Sequence, residues 1–228
     1  EEKFALAKSF GFKINMDLVL IGIIAANALF SFKGFGDRAF FRKFEFHIAS
    51  IRNGEQYRMF SSAFLHADIG HLAFNMLTLY FFAPVVLLYT GAFSFLLVYF
   101  GSLICGSLLT LYLYMDDLNY RAIGASGAVI GVLYSAILLQ PEMNLYLFFI
   151  PIPIPAYIFG IGYLLYSLYG MRAKRDNIGH TAHFGGAIGG YAITLAKFPE
   201  MLTNNTFMVV ILAIPIIILG IMAKMKKI

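Results

Sequence analysis

A single cysteine in 228 residues, Cys105, excludes an internal disulfide, and its position inside an apolar run leaves it only packing to do. Charge is scarce too. Only 13% of residues are Asp, Glu, Lys or Arg, 60% are hydrophobic, and mean hydropathy is +0.78, which argues against a water-soluble domain. No HExxH occurs, and carboxylates are absent from the segments that hold His71 and His183. A metal enzyme or transporter using His66, His71, His180 and His183 is therefore disfavoured, and no metal or cofactor is expected. Paired, symmetrically broken helices are missing as well. Pro151–Pro155 and Pro215 are not symmetrically placed in the two halves, which argues against a channel or transporter.

What is abundant is apolar sequence. Runs able to cross a hydrocarbon core of about 30 Å lie at Met16–Phe32, Ile69–Tyr89, Phe93–Tyr114, Ile123–Leu139, Ala156–Tyr169, Gly179–Ala196 and Phe207–Ala223. The expected fold is an all-α polytopic membrane protein, one bundle of seven helices, since an open sheet edge in lipid leaves backbone groups unpaired. The net charge of +5 resides in loops and tails, where it meets lipid headgroups; the bilayer is the partner it implies, and nucleic acid is not. The first apolar run lacks the small-residue cleavage site of a removable signal and is expected to remain. Asn27 is its only mid-membrane polar group, and an interhelical hydrogen bond accounts for it.

The stretch that organises the rest is Ile123-Gly-Ala-Ser-Gly-Ala-Val-Ile-Gly131, a lone Ser126 among glycines at the mouth of an apolar helix. Gly127 and Gly131 form a small-xxx-small face on which a second helix can pack almost backbone to backbone. A matching partner is His180-Thr-Ala-His-Phe-Gly-Gly-Ala-Ile-Gly-Gly190, where Gly185/Gly189 and Gly186/Gly190 repeat the spacing. His183 lies one turn before them. If the two faces meet, a serine hydroxyl comes within reach of a histidine base, which makes an activated nucleophile.

Segments two, four and six each follow an odd number of crossings, so all three start on one side of the membrane. His71, Ser126 and His183 lie in their first turns, and parity alone places them at one depth. His71 and Asn75 are four residues apart and share a helix face. An inward polar pair at that depth needs partners or a task. His66, just before the helix, serves equally well as a loop-ordering hydrogen bonder. The chemistry that fits is acyl transfer: Ser126 as nucleophile, His183 as base, and the Ser126 amide with the His71 and Asn75 side chains around the developing oxyanion. Segments four and six hold no aspartate or glutamate, so a dyad is expected, with packing and hydrogen bonds orienting the imidazole. Segment four is short, which places its first turn below the surface beside a water-filled cavity. Between Ser31 and Ser62, Phe35, Phe40, Phe41, Phe44 and Phe46 interleave with Arg38, Arg42, Lys43 and Arg52, a pattern suited to short interfacial helices.

These residues resemble the rhomboid family of intramembrane serine proteases. The likeness runs from about Gly54 to Tyr191 and rests on Gly54-Glu-Gln-Tyr-Arg58, Phe64-Leu-His-Ala-Asp68, His71-xxx-Asn75, Gly124-Ala-Ser-Gly127 and Ala182-His-Phe-Gly-Gly186. The resemblance implies a catalytic dyad of Ser126 and His183, an oxyanion and substrate-binding site with His71, Asn75 and Gly124, and a loop anchor at Tyr57 and Arg58, where the family usually has tryptophan and arginine. It implies a serine endopeptidase that cleaves single-pass membrane proteins within or beside their transmembrane segment. The alternative is a catalytically inactive relative that binds or escorts membrane helices. Residues 1–15 are expected to be a lead-in, 16–197 the protease core, and 198–228 an added helix with a basic tail. Ile130 stands one turn after Ser126, where some members carry an aromatic ring against the histidine.

Orientation is drawn two ways. Only Lys3, Lys8, Lys13 and Lys197 of the 17 basic residues fall on the N-terminal side, so the positive-inside rule puts the site in the cytoplasm. The resemblance implies a bacterial inner membrane with the site opening to the extracytoplasmic side, and that expectation is kept.

Overall fold

A computed structural model describes residues 17–147, 150–173 and 179–225. The lead-in at 1–15 and the tail lysines Lys226 and Lys227 lie outside the described residues. In chain order come α1 (Leu18–Gly36), α2 (Arg38–Phe44), β1 (Phe46–His47), α3 (Ile48–Arg52) and α4 (Arg58–Ser61). A 3-10 turn (Ser62–Phe64) leads to α5 (Ile69–Leu113), β2 (Arg121–Ala122), α6 (Ser126–Leu139), β3 (Asn144–Leu147) and β4 (Ile150–Pro155). The chain ends with α7 (Ala156–Ala173), α8 (His180–Lys197), α9 (Met201–Asn204) and α10 (Thr206–Lys224).

Helices α1, α5 and α10 are long and apolar enough to cross a membrane by length and composition. The chain is an all-α polytopic membrane protein. Helix α5 holds both the second and third expected spans. At Gly91 its backbone leaves the helical region (φ 76°, ψ 169°), a conformation glycine takes without steric penalty, so 69–90 and 92–113 are two spans joined at one residue. The break falls between the runs Ile69–Tyr89 and Phe93–Tyr114 read from the sequence.

Helix α6 is the centre of the bundle, with every residue from Gly127 to Leu139 buried. Its 14 residues rise about 21 Å, short of a core of about 30 Å, so its first turn begins beneath one surface. Helix α8 fits between α6 and the second half of α5 by two glycine faces. A Cβ on Gly186 would lie 2.9 Å from Gly127 Cα, and one on Gly189 would lie 2.9 Å from Ser102 Cα. Gly190 repeats the first contact against Gly131, and Gly185 repeats the second against Cys105 and Gly106. Lipid tails are as apolar as the helices, so close van der Waals contact of this kind is what holds such helices together. Hydroxyl pairs add to it: Thr194 donates to Ser135 at 2.7 Å, and Thr110 and Thr181 lie 2.8 Å apart. Asn27 donates to the Ile23 carbonyl at 2.9 Å and to the Tyr99 hydroxyl at 3.2 Å, the latter tying α1 to α5.

Two small antiparallel pairs lie in connecting segments. β1 pairs with β2, Phe46 opposite Ala122, and β3 pairs with β4, Asn144 opposite Pro155. The run Pro151–Pro155 reads from sequence only as extended chain; the partner strand it finds tolerates prolines because β4 has one free edge.

Candidate active site

Ser126 opens α6 immediately before Gly127, and His183 sits one turn before Gly186 on α8. The Gly127–Gly186 contact therefore sets the distance between the two side chains. His183 Nε2 lies 2.8 Å from Ser126 Oγ. The imidazole is only 2% exposed, while Ser126 is half-buried. Helix geometry leaves the first amides of α6, that of Ser126 among them, without an intrahelical acceptor, and the dipole makes that end partly positive.

The far side of the imidazole faces α7. Ser167 Oγ lies 3.3 Å from His183 Nδ1, and the Tyr163 ring lies 5.2 Å from the imidazole, tilted by 39°. Tyr163 and Ser167 are four residues apart and so share one face of α7. Gly170, the next small residue on that side, leaves room for the His180 ring, which stands edge-on to Tyr166. The sequence reading singled out neither Tyr163 nor Ser167. A lone serine in an apolar helix reads as packing, and the available signal was only the Tyr-xxx-Ser spacing beside Gly170. Ile130, one turn after Ser126, is buried in the core; the ring against the histidine comes from α7 instead.

His71, Asn75 and Gly124 gather on the opposite side. Asp68 caps α5 by accepting from the His71 amide at 2.8 Å, and Asn75 Nδ2 donates to the His71 carbonyl at 3.0 Å. The Ala67 amide donates to His71 Nδ1 at 3.4 Å, so a neutral ring carries its proton on Nε2 and presents a donor. That edge faces Gly124, where a Cβ would lie 2.9 Å from Nε2. Gly124 also has φ +112°, which favours glycine. Its own amide donates to the Ser62 carbonyl at 3.0 Å, so the residue contributes clearance for His71 while its N–H is already engaged. Two spaces share His71, Ser126 and His183. One is a vestibule of about 700 Å³ rimmed by Arg42, Glu45, Asp68, Asp117 and Arg121; the other is a cleft of about 240 Å³ between Phe74 and Thr78 of α5 and Phe159, Tyr163 and Tyr166 of α7.

The loop before α5 is tied down from several directions. Arg58 donates through Nη1 to the carbonyls of Arg42 (2.7 Å) and Glu45 (3.1 Å), and through Nε to Glu55 at 2.6 Å. Tyr57, exposed, places its hydroxyl 3.1 Å from the Lys43 carbonyl. The Glu45 carboxylate, buried, pairs with Arg42 and with Arg121, which joins the first loop to the strand before Ser126.

His66, fully buried, is a connector. The Ala125 amide donates to its Nε2 at 3.4 Å, its Nδ1 lies 2.8 Å from Ser31 Oγ, and Ser31 donates to the Phe64 carbonyl at 3.0 Å. That chain requires a neutral ring, and burial, reinforced by neighbouring His71, pushes the His66 pKa down to about 3 from 6.5. Below 6.5 the unfolded chain takes a proton that the folded one refuses, so stability is full above that value and falls as pH drops toward 3. Thermal unfolding in detergent should therefore be less sensitive to acidification between pH about 6 and 4 in His66→Gln than in the parent protein. Equal sensitivity would remove this role.

The profile of the Rhomboid domain matches residues 53–200, more than half of the chain, and takes in His71, Asn75, Gly124, Ser126, Tyr163, Ser167 and His183. The chain belongs to the rhomboid family. Among its relatives, RHOMBOID-like protein 12, mitochondrial, of Arabidopsis thaliana is 31% identical over 74% of this chain and 55% of that protein. Rhomboid protein 1, mitochondrial, of Saccharomyces cerevisiae is 33% identical over 57% of this chain and 38% of its own length. Rhomboid protease GluP of Bacillus subtilis is 33% identical over 62% of this rhomboid chain and 26% of its own. The chain spans about half the length of the curated relatives it matches, or less.

Proposed function

We propose that this rhomboid is an intramembrane serine endopeptidase that cleaves membrane proteins within or beside a transmembrane segment, with Ser126 as nucleophile and His183 as base. The observation that carries this reading is the 2.8 Å approach of Ser126 Oγ to His183 Nε2 at the junction of a polar vestibule and an apolar cleft. A substrate strand entering the cleft meets the hydroxyl, and water reaches the same point through the vestibule. Ser126 Oγ attacks the scissile carbonyl as its proton passes to His183 Nε2. The oxyanion so formed faces the Ser126 amide, the His71 Nε2–H and the Asn75 amide group, and His183 then returns the proton to the leaving amine. Water repeats the cycle on the acyl group and frees Ser126.

On this reading residues 16–197 form the protease core, 198–228 add a helix and basic tail, and 1–15 are a lead-in. Tyr57 and Arg58 act as the loop anchor. The vestibule opens to the extracytoplasmic side of a bacterial inner membrane; the relatives include mitochondrial proteins as well as one from Bacillus subtilis. A serine-reactive fluorophosphonate probe tests the reading directly. Labelling that disappears in Ser126→Ala, together with cleavage of single-span substrates in liposomes, supports it; absence of both favours a protein that only binds or escorts membrane helices. Asn75→Ala is expected to lower kcat by about 10²–10³ with KM little changed, the usual loss for one oxyanion donor of several. A loss as complete as that of Ser126→Ala would assign Asn75 a different task.

A further inference from the structure

We propose that Ser167 is a positioning residue for His183: its hydroxyl oxygen accepts the Nδ1–H of the imidazole, so that Nε2 is left bare to receive the Ser126 proton. The inference rests on the reading of Ser126 and His183 as nucleophile and base. A neutral imidazole carries one proton, and the 2.8 Å contact with Ser126 is equally compatible with either tautomer. With the proton on Nε2 the ring donates to the serine and can take nothing from it. With the proton on Nδ1 the ring accepts, and a partner on that side is what favours this form. Ser167 is 0% exposed, so no bulk water stands in for it, and it reaches the ring from a third helix. One turn earlier the Tyr163 ring lies against the same imidazole, so α7 limits both the rotation and the tilt of the base.

The sequences of α6, α7 and α8 contain no aspartate or glutamate. A carboxylate behind the base would add a buried charge in lipid, which is expensive. A serine oxygen selects the same tautomer without that charge. When the Ser126 proton moves to Nε2, the Nδ1–H stays where it was, and the same oxygen then faces an imidazolium, which it stabilises less than a carboxylate would. Among the described residues, the titratable groups around the ring include Tyr163 and Tyr166 on α7, His180 on its own helix and His71 across the cleft, while Arg42, Glu45, Asp68, Asp117 and Arg121 stand on the vestibule.

The test compares the parent chain with Ser167→Ala, Ser167→Cys and Ser167→Thr in liposomes, following kcat, KM and the pH profile of a single-span substrate. Ser167→Ala and Ser167→Cys are expected to lower kcat on the order of tenfold with KM little changed, since each lacks a good acceptor. Their acid limb should move to lower pH, because the imidazolium has lost a partner. Ser167→Thr keeps an oxygen at the same place and should recover most of the rate. In resting protein labelled with nitrogen-15 at histidine, His183 should show the Nδ1–H form in the parent and a mixture in Ser167→Ala. A parent-like acid limb and unchanged nitrogen shifts in Ser167→Cys, the near-isosteric variant, would overturn the proposal even if the other two fail to fold. If the parent neither cleaves nor takes the fluorophosphonate, the functional reading falls, and the nitrogen shifts still decide the role of Ser167.

Discussion

If Ser126 and His183 act as the proposed dyad, alanine at either is expected to reduce cleavage to background, a loss on the order of 10⁶-fold in kcat, as in a serine hydrolase whose nucleophile or base is removed. Without the hydroxyl there is no acyl intermediate, and without the imidazole the hydroxyl keeps its proton. The two losses should not add. Because each group works only through the other, Ser126→Ala with His183→Ala should be no slower than either alone. The fold should survive. Ser126 caps no helix, and its side chain is half-buried at the mouth of α6. His183→Ala removes a buried ring and leaves a void beside Tyr163 and Ser167, so it should lower the unfolding temperature while Ser126→Ala barely moves it. Multiplicative losses in the double variant, or cleavage that persists in Ser126→Ala, would remove the dyad from the mechanism.

The second large effect is structural. Gly186→Ala should destabilise the protein by about 1–3 kcal/mol or more, the usual range for overpacking. The high end is expected because the Cβ would meet the Gly127 carbonyl and Cα, which are backbone and cannot rotate away. The same substitution should depress activity beyond the stability loss, since parting α8 from α6 lengthens the Ser126–His183 contact. Gly22→Ala and Gly220→Ala serve as controls. Both glycines lie in apolar helices with nothing within 4 Å of a Cβ, so alanine there should be neutral or slightly stabilising. Unfolding curves in detergent decide the matter: a Gly186→Ala curve that coincides with the Gly22→Ala curve would mean that the glycine face has slack the distances do not suggest.

Much of this was legible because membrane helices announce themselves by length and because small residues at four-residue spacing mark where helices touch. Seven apolar runs correspond to helices within a few residues. Parity of the crossings alone places His71, Ser126 and His183 at one end. The glycine pattern marks an interface without assigning it: it leaves open whether Gly185/Gly189 or Gly186/Gly190 faces Gly127, and both faces are used, Gly186/Gly190 on α6 and Gly185/Gly189 on α5. What stayed hidden had no periodic signal. The β1–β2 and β3–β4 pairs depend on which distant strand arrives, which composition does not encode. Ser167 and Tyr163 look like ordinary core residues until α7 is placed against His183. From sequence His66 serves equally well as a loop-ordering hydrogen bonder or as a residue with a task, and the partners that decide for the former, Ser31 and Ala125, are 35 and 59 positions away.

The residues just before Ser126 are steadied from outside the lipid-crossing part of the molecule. Phe46 and His47 pair with Ala122 and Arg121, Glu45 holds Arg121, and Arg58 grips the backbone of residues 42 and 45. A nick anywhere between residues 37 and 44 would sever no bilayer-crossing segment, yet it would cut loose one end of the brace that fixes the approach to Ser126. A stretch outside the bilayer-crossing helices is thus also the splint of the segment that presents Ser126.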